Sequence, residues 1–220
     1  MEIINIDQWP RRDLFRFYRG LDYPHFNVCA DVDISRLHRQ CRQGDVSRFN
    51  AVLYGVSRAA NAIEEFRLRI RDHDVVMHDV VHPSYTVLTG DNTFCFCETK
   101  YCKEIGEFSE RTNNATASAR ENPSLKDDPE RDDYLFISSL PWLRFTSVSH
   151  PIHMRPVDSI PRITWGKFTE SHKRVVMPLS VQLHHGLADG YHVGQFFDLF
   201  QQWVDRFELD SAADDGEKLE

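Results

Sequence analysis

The chain has 220 residues, of which 41% are hydrophobic and 12% aromatic, and its formal net charge at pH 7 is −8. This composition is typical of a folded globular protein and excludes a disordered or fibrous class. Because the negative charge repels phosphate backbones and anionic lipid surfaces, we expect neither nucleic acid nor a membrane as a partner. No apolar run approaches the roughly 20 residues that a membrane-spanning helix needs.

The five cysteines form no even set, and the first residues, M-E-I-I-N-I-D, have neither the basic nor the apolar region of a signal peptide. We therefore expect a cytoplasmic protein, since free thiols persist in reducing compartments. One local basic cluster, Trp9-Pro10-Arg11-Arg12, has two open interpretations. It either begins a helix with surface ion pairs or binds an anionic small molecule.

The first third of the chain is predicted to contain two helices around a strand. A short extended piece precedes a helix that opens near Asp7, carries Pro10 in its first turn and ends at Gly20. Alternation of polar and apolar residues predicts a strand over residues 26–34. Apolar residues at helical spacing then predict a helix with one buried face over residues 48–66.

The rest of the chain is predicted to be mostly strands. Two strands within residues 75–88 are joined by a turn before Pro83, and a third covers residues 93–98. An amphipathic helix ends near Arg120, and a charged loop follows it. Four further strands and a final amphipathic helix are expected at residues 134–138, 144–148, 162–168, 175–184 and 193–207.

Strands and helices that alternate and share one core predict an α/β fold, a two-layer sandwich in which helices cover a mixed sheet. We expect a single domain over residues 1–210. Residues 211–220, S-A-A-D-D-G-E-K-L-E, have almost nothing to bury and are expected to form a disordered acidic tail.

The stretch V-Q-L-H-H-G-L-A-D-G-Y-H, residues 181–192, places three histidines and an aspartate where a strand ends and the last helix begins. Because side chains alternate along a strand, His184 and His185 face opposite sides, and at most one of them serves a given site. In a purely structural interpretation, Asp189 caps the helix and the histidines fill polar gaps.

Zinc binding is a second interpretation, because histidine, aspartate and cysteine are all zinc ligands. The candidate ligands are His184, His185, Asp189, His192, Cys95, Cys97 and Cys102. The sequence contains neither H-E-x-x-H nor paired C-x-x-C motifs, so we expect no metal site. Cys95 and Cys97 are instead expected to be small apolar residues on one face of a strand.

The histidine stretch resembles the signature of chloramphenicol acetyltransferases, H-H-x-x-x-D-G-[FY]-H preceded by a glutamine. Other stretches are similar to that family in the same order: W-P-R-R-D-L-F-R-F-Y-R, D-V-V-H-P-S-Y-T-V-L, F-I-S-S-L-P-W-L-R-F-T-S and T-W-G-K-F. The resemblance covers about residues 3–207 and is weakest over 103–133. It implies the CoA-dependent acyltransferase fold, with acetyl-CoA as a co-substrate and no tightly bound cofactor.

The resemblance also implies roles for individual residues. His185 matches the family's general base, and Ser138 matches the serine that hydrogen-bonds the tetrahedral intermediate. Thr164 matches a threonine that stabilises the same species through water. Asp189 matches a structural aspartate whose arginine partner corresponds to Arg11.

These roles suit the chemistry of acetyl transfer to an alcohol. An alcohol is a poor nucleophile near pH 7, so a neutral imidazole must take its proton, and the developing oxyanion needs a positioned donor. The resemblance implies direct attack on acetyl-CoA in a ternary complex, without an acyl-enzyme. It also implies a homotrimer whose active sites lie at subunit interfaces.

The acceptor pocket follows the family less closely. Tyr18 and Phe26 keep its aromatic character, whereas Val148 and His150 stand where the family usually carries Phe and Leu. A smaller apolar group and a polar ring there weaken an aromatic ligand or reshape the pocket.

The leading interpretation is an O-acetyltransferase that inactivates chloramphenicol, and three alternatives remain. The first is the same chemistry on a different small hydroxylated acceptor. The second is a dihydrolipoyl acyltransferase, which the doubled histidine and the lack of a lipoyl domain disfavour. The third is a non-catalytic CoA-binding or assembly protein, which the joint presence of His185, Ser138, Thr164 and Asp189 disfavours.

Overall fold

The structure is a computed structural model that describes residues 1–126, 128 and 130–209. The strands, in chain order, are β1 Glu2–Ile4, β2 His25–Asp33, β3 Leu68–Arg71, β4 Asp74–Met77, β5 His82–Leu88, β6 Phe94–Glu98, β7 Tyr134–Leu140, β8 Arg162–Gly166, β9 Thr169–Ser171 and β10 Arg174–His184. The helices are α1 Arg12–Arg19, α2 Ser35–Gln43, α3 Arg48–Asn61, α4 Glu64–Arg67, α5 Ile105–Glu121 and α6 Gly190–Asp205. The tail expected at 211–220 lies outside the described residues.

The larger sheet has seven strands in the order β2-β10-β8-β7-β5-β6, with β9 paired to β10. Its β5–β7 and β7–β8 pairs are parallel, and its other pairs are antiparallel. Alternate residues of the strands, such as Ile137, Ile163 and Val181, share the main core with α3 and α6. The predicted α/β fold, a mixed sheet covered by helices, is therefore confirmed.

A second sheet of three strands, in the order β1-β4-β3, is not predicted by the sequence pattern. It packs on a separate small core that includes Phe15 and Leu187. Arg69 of β3 is 0% exposed and donates to the carbonyl oxygens of Asp132 and Tyr134, which ties this sheet to the start of β7. The two strands predicted within residues 75–88 thus belong to different sheets.

Two predicted helices have different limits in the structure. Near Asp7 the chain forms a 3₁₀ turn, Ile6–Gln8, and the first α-helix begins only at Arg12, because Trp9 precedes proline and is extended with ψ 128°. The helix predicted over 48–66 is divided into α3 and α4, because Ile63 is extended between them. Among the helices of the described part of the chain, none has both the length and the apolar character needed to cross a bilayer.

The strand predicted at residues 144–148 is wrong. The segment from 141 to 161 instead crosses the sheet face that the helices leave uncovered, where the ring of His25 hydrogen-bonds the Asp158 carbonyl at 2.8 Å. None of residues 144–148 pairs with a strand of the described chain, and prolines, which lack the N–H that strand pairing requires, stand on both sides of them at positions 141 and 151.

Candidate active site

His185 directly follows β10, and its backbone N–H donates to the Pro24 carbonyl at 2.8 Å. Two aromatic rings enclose its imidazole: Tyr18 stacks at 4.0 Å with 6° between the planes, and Phe26 lies 4.4 Å away. Nδ1 is buried and has no hydrogen-bond partner among the described residues. Nε2 is therefore the nitrogen of this ring that remains available to a substrate.

His184 lies on the opposite side of β10, as strand alternation predicts. It is 2% exposed, its Nδ1 accepts from the Gly186 N–H at 3.1 Å, and its ring meets His25 edge-on at 5.3 Å. Burial, with a smaller effect from His25, lowers the pKa of His184 to about 4. This histidine is neutral at pH 7 and belongs to the packing of the sheet.

Asp189 has two contacts that the sequence presents as alternatives. It is the N-cap of α6 and accepts from the Tyr191 N–H at 3.0 Å. Its other oxygen accepts from Arg11 Nη1 at 2.7 Å, and Arg11 Nη2 donates to the His185 carbonyl at 3.3 Å. Burial acts to raise the pKa of Asp189, but the hydrogen bond from Arg11 and the charge of His192 outweigh it and lower that pKa. Arg11 thus links the first turn of α6 to the main chain of His185.

Ser138 and Thr164 are register partners on β7 and β8. They alternate with core residues, so both side chains point away from the helices, toward the 141–161 segment. Thr164 is 0% exposed, and its Oγ1 hydrogen-bonds His150 Nε2 at 2.9 Å. The His150 backbone N–H donates to Gln182 Oε1 at 3.2 Å, which attaches the segment to β10.

A cleft of about 1250 Å³ opens between this sheet face and the 141–161 segment. Ser138, His150 and Arg162 line it together with apolar side chains, which is the usual character of a small-molecule site. Burial lowers the pKa of His150, and the nearby charge of Arg162 acts in the same direction. Val148 is half-buried and lies outside the cleft lining. Of the two residues that depart from the family's Phe and Leu, only His150 therefore faces the cleft.

The predicted site residues lie in two separate places within one chain. Ser138 pairs with Thr164, and Thr164 pairs with Ser180, five residues before His185. Five strand residues span roughly 16 Å, and Ser180 points to the face opposite that of His185. Ser138 and Thr164 therefore cannot contact the His185 ring of the same chain. Tyr18 and Phe26 lie with His185 and not in the cleft.

Two residues of this region have no predicted role. Gln182, whose side chain holds His150, stands in the signature itself, so the sequence did contain a signal for it. Arg162 lines the cleft in a buried ion pair with Asp158, four residues earlier in an irregular segment, where no periodicity indicates the pair. Within the described residues, no three His, Cys, Asp or Glu side chains are grouped so as to hold a metal ion.

This fold, with a histidine directly after the long strand β10, defines the class of CoA-dependent acyltransferases. A solved structure of a chloramphenicol acetyltransferase matches with a TM-score of 0.81 and 26% identity, covering 92% of this chain and 99% of that one. The dihydrolipoamide acetyltransferase of Azotobacter vinelandii matches with a TM-score of 0.67 and 16% identity, covering 93% and 90%, and shares the fold alone.

The sequence comparisons give the family within that class. The family described as Chloramphenicol acetyltransferase matches residues 1–201. Chloramphenicol acetyltransferase 2 of Haemophilus influenzae is 30% identical over 204 residues, 92% of this chain and 96% of that protein. Chloramphenicol acetyltransferase 3 of Escherichia coli is 29% identical over 202 residues, 90% and 94% of the two chains. The chain belongs to the chloramphenicol acetyltransferase family of enzymes, and the resemblance found in the sequence is confirmed.

Proposed function

We propose that this protein transfers the acetyl group of acetyl-CoA to a hydroxyl of chloramphenicol and so inactivates the antibiotic. The observation that carries the proposal is His185, enclosed by Tyr18 and Phe26 with Nε2 available, in a chain of this family. A ring held on both sides keeps the orientation that a general base needs during proton transfer.

In the proposed mechanism, acetyl-CoA and the acceptor bind together. His185 Nε2 takes the proton of the acceptor hydroxyl as its oxygen forms a bond to the thioester carbonyl carbon. The carbonyl oxygen becomes an oxyanion, which the Ser138 hydroxyl stabilises with support from Thr164. The C–S bond then breaks, and His185 returns the proton to the departing thiolate, so no acyl-enzyme forms.

Arg11 and Asp189 have a supporting role in this proposal. Their ion pair joins α1 to the start of α6, and the bond from Arg11 to the His185 carbonyl fixes the main chain beside the base. They touch no reacting atom. Their contribution is to keep the base at a constant place relative to the substrate.

We further propose that the active enzyme is a homotrimer in which His185 of one subunit meets Ser138 and Thr164 of its neighbour. The separation of these residues within one chain supports this arrangement. Large apolar side chains close to Tyr18 are open to solvent: Leu14 is 45% and Phe17 64% exposed. Such a patch beside a functional residue is typical of a subunit interface.

Release of thiol from acetyl-CoA, followed with a thiol reagent with and without chloramphenicol, tests the proposed reaction. We expect release by the wild type only when chloramphenicol is present. His185→Ala should lower kcat by about 100- to 10,000-fold with an unchanged circular dichroism spectrum. His73→Ala, at an exposed turn histidine, is the matched control and should keep the wild-type rate. Activity retained by His185→Ala would remove this residue as the base.

A second candidate is the same reaction with another small hydroxylated acceptor. It is favoured by His150, a polar ring in the cleft where the family usually carries Leu. The same assay with a panel of alcohols separates the two candidates. Folded wild-type protein that releases thiol with another alcohol, and none with chloramphenicol, would select the second.

A further inference from the structure

The His150 ring lies between Thr164 and the cleft. Thr164 is 0% exposed, so its hydroxyl is closed off from the space that a substrate can enter. The one hydrogen bond of Thr164 Oγ1 within the described chain is the 2.9 Å contact with His150 Nε2. His150, in contrast, lines the cleft together with Ser138. Thr164 can therefore influence the reaction only through its hydrogen bond to this imidazole.

The contact with Thr164 indicates which nitrogen of His150 carries the proton. The ring is neutral at pH 7, since burial and the charge of Arg162 lower its pKa, and a neutral ring has one N–H. A proton on Nε2 would leave the buried Thr164 proton without an acceptor in the described residues, which native structures avoid. Thr164 therefore donates to Nε2, and Nδ1 carries the proton. No described residue accepts a hydrogen bond from Nδ1.

We propose that His150 is an additional catalytic residue whose Nδ1–H donates to the oxyanion of the tetrahedral intermediate beside Ser138. The inference rests on the acetyl transfer proposed above. The imidazole then takes the place of the water through which Thr164 acts in the family, and it makes or breaks no covalent bond. Ser138 is the register partner of Thr164, roughly 5 Å away across the sheet, and Ser138 and His150 line the same cleft.

Gln182 completes the arrangement. Its Oε1 accepts from the His150 backbone N–H at 3.2 Å, and Thr164 Oγ1 hydrogen-bonds Nε2 of the ring at 2.9 Å. Two strands of the sheet thus fix a residue that lies in an irregular segment. A donor fixed in this way needs little reorganisation when the oxyanion forms, and such preorganisation is what makes an oxyanion hole effective.

Two variants at one position separate the donor from the packing of the ring. His150→Leu removes both nitrogens, whereas His150→Asn keeps a donor near the place of Nδ1. With chloramphenicol as acceptor, we expect His150→Leu to lower kcat by about 10- to 1000-fold and to change the KM for acetyl-CoA by less than about twofold. His150→Asn should recover part of the loss. An unchanged or higher kcat in His150→Leu, or an effect on KM alone, would overturn the proposal.

Thr164→Val tests whether the two residues act as one unit. Without the threonine proton, the ring is free to adopt its other tautomer, so kcat should fall. Adding Thr164→Val to His150→Leu should not lower kcat further, because the hydrogen bond between the two residues is already absent. Fully additive losses would mean that His150 acts independently of Thr164, against the proposal.

The tautomer itself can be measured without any substrate. Selective ¹⁵N-histidine labelling of the wild type, with His150→Asn to assign the signals, shows by NMR which ring nitrogen carries the proton. Nδ1–H supports the proposal, and Nε2–H overturns it. If the wild type does not acetylate chloramphenicol, the proposed function fails, whereas an Nε2–H signal overturns the role of His150 even when the acetyl transfer is confirmed.

Discussion

At the scale of single residues, the adjacent histidines His184 and His185, at the end of β10, have two different environments. Alternation turns His184 toward His25 and the buried polar face, and turns His185 toward the rings of Tyr18 and Phe26. The first ring is held neutral by burial. The second keeps one nitrogen available, as the proposed acetyl transfer requires.

The low pKa of His184 makes stability depend on pH. Its folded pKa is about 4, against about 6.5 in an unfolded chain, so the unfolded state binds more protons between these values. Stability should therefore fall as pH falls from 6.5 to 4, with a contribution from His184 of up to roughly 3 kcal/mol. Urea unfolding at a series of pH values and one protein concentration measures this dependence.

His184→Asn is the variant for that experiment. The asparagine side-chain oxygen can accept from the Gly186 N–H as Nδ1 does, but the side chain does not titrate. Four other histidines also have lowered pKa values: His25, His38, His82 and His150. The free energy of unfolding of the variant should therefore still depend on pH, but with a weaker slope. Parallel curves for the variant and the wild type would contradict the assignment to His184.

At the scale of elements, α3 and α6 pack closely because α3 carries a glycine at their contact. A Cβ added at Gly55 would lie 2.3 Å from Trp203 Cζ3 and 2.8 Å from Phe200 Cε2. Both rings belong to α6, and their positions are fixed by the main core. The close packing of α3 on α6 thus requires a residue without a Cβ atom at position 55.

We expect Gly55→Ala to lower the free energy of unfolding by about 1 to 3 kcal/mol through overpacking, despite the higher helix propensity of alanine. Gly194→Ala is the matched control, because a Cβ there meets no described atom within 4 Å. That exchange should raise stability by up to about 1 kcal/mol. Thermal or urea unfolding of both variants gives the two signs, and a stabilised Gly55→Ala would contradict the packing argument.

At the scale of the whole molecule, the proposed active site needs two chains. Within one chain, His185 and the Ser138–Thr164 pair lie on opposite faces of the sheet and far apart along it. In the proposed trimer each interface would combine the histidine of one subunit with the serine of the next. A chain that lacks the His185 imidazole and a chain that lacks the Ser138 hydroxyl can then form one complete site together.

Co-expression of His185→Ala and Ser138→Ala chains with different tags tests this arrangement. In every mixed trimer, one interface keeps both wild-type side chains, so tandem-purified mixtures should have roughly a third of wild-type activity. Each variant alone should be nearly inactive, and each pure variant carried through the same purification is the control. Absence of recovery in mixed assemblies would contradict an active site shared between subunits.

The sequence by itself determined most helices, most strands of the larger sheet, the α/β class and the histidine motif. Periodicity reveals which face of an element is buried, and the signature residues are neighbours along the chain. The roles of the candidate site residues follow from a family resemblance and not from periodicity. Arg11 and Asp189 are far apart in sequence, so only this resemblance, and no spacing, predicts their ion pair.

Only the tertiary structure decided the partners of these elements. It separated the small sheet from the large one, led residues 141–161 across the sheet face, and put His150 between Thr164 and the cleft. It also placed His185 and Ser138 apart. The physical reason is that a local pattern records whether a side chain is buried, whereas its neighbour across a sheet or cleft depends on register and chain path, which involve residues distant in sequence.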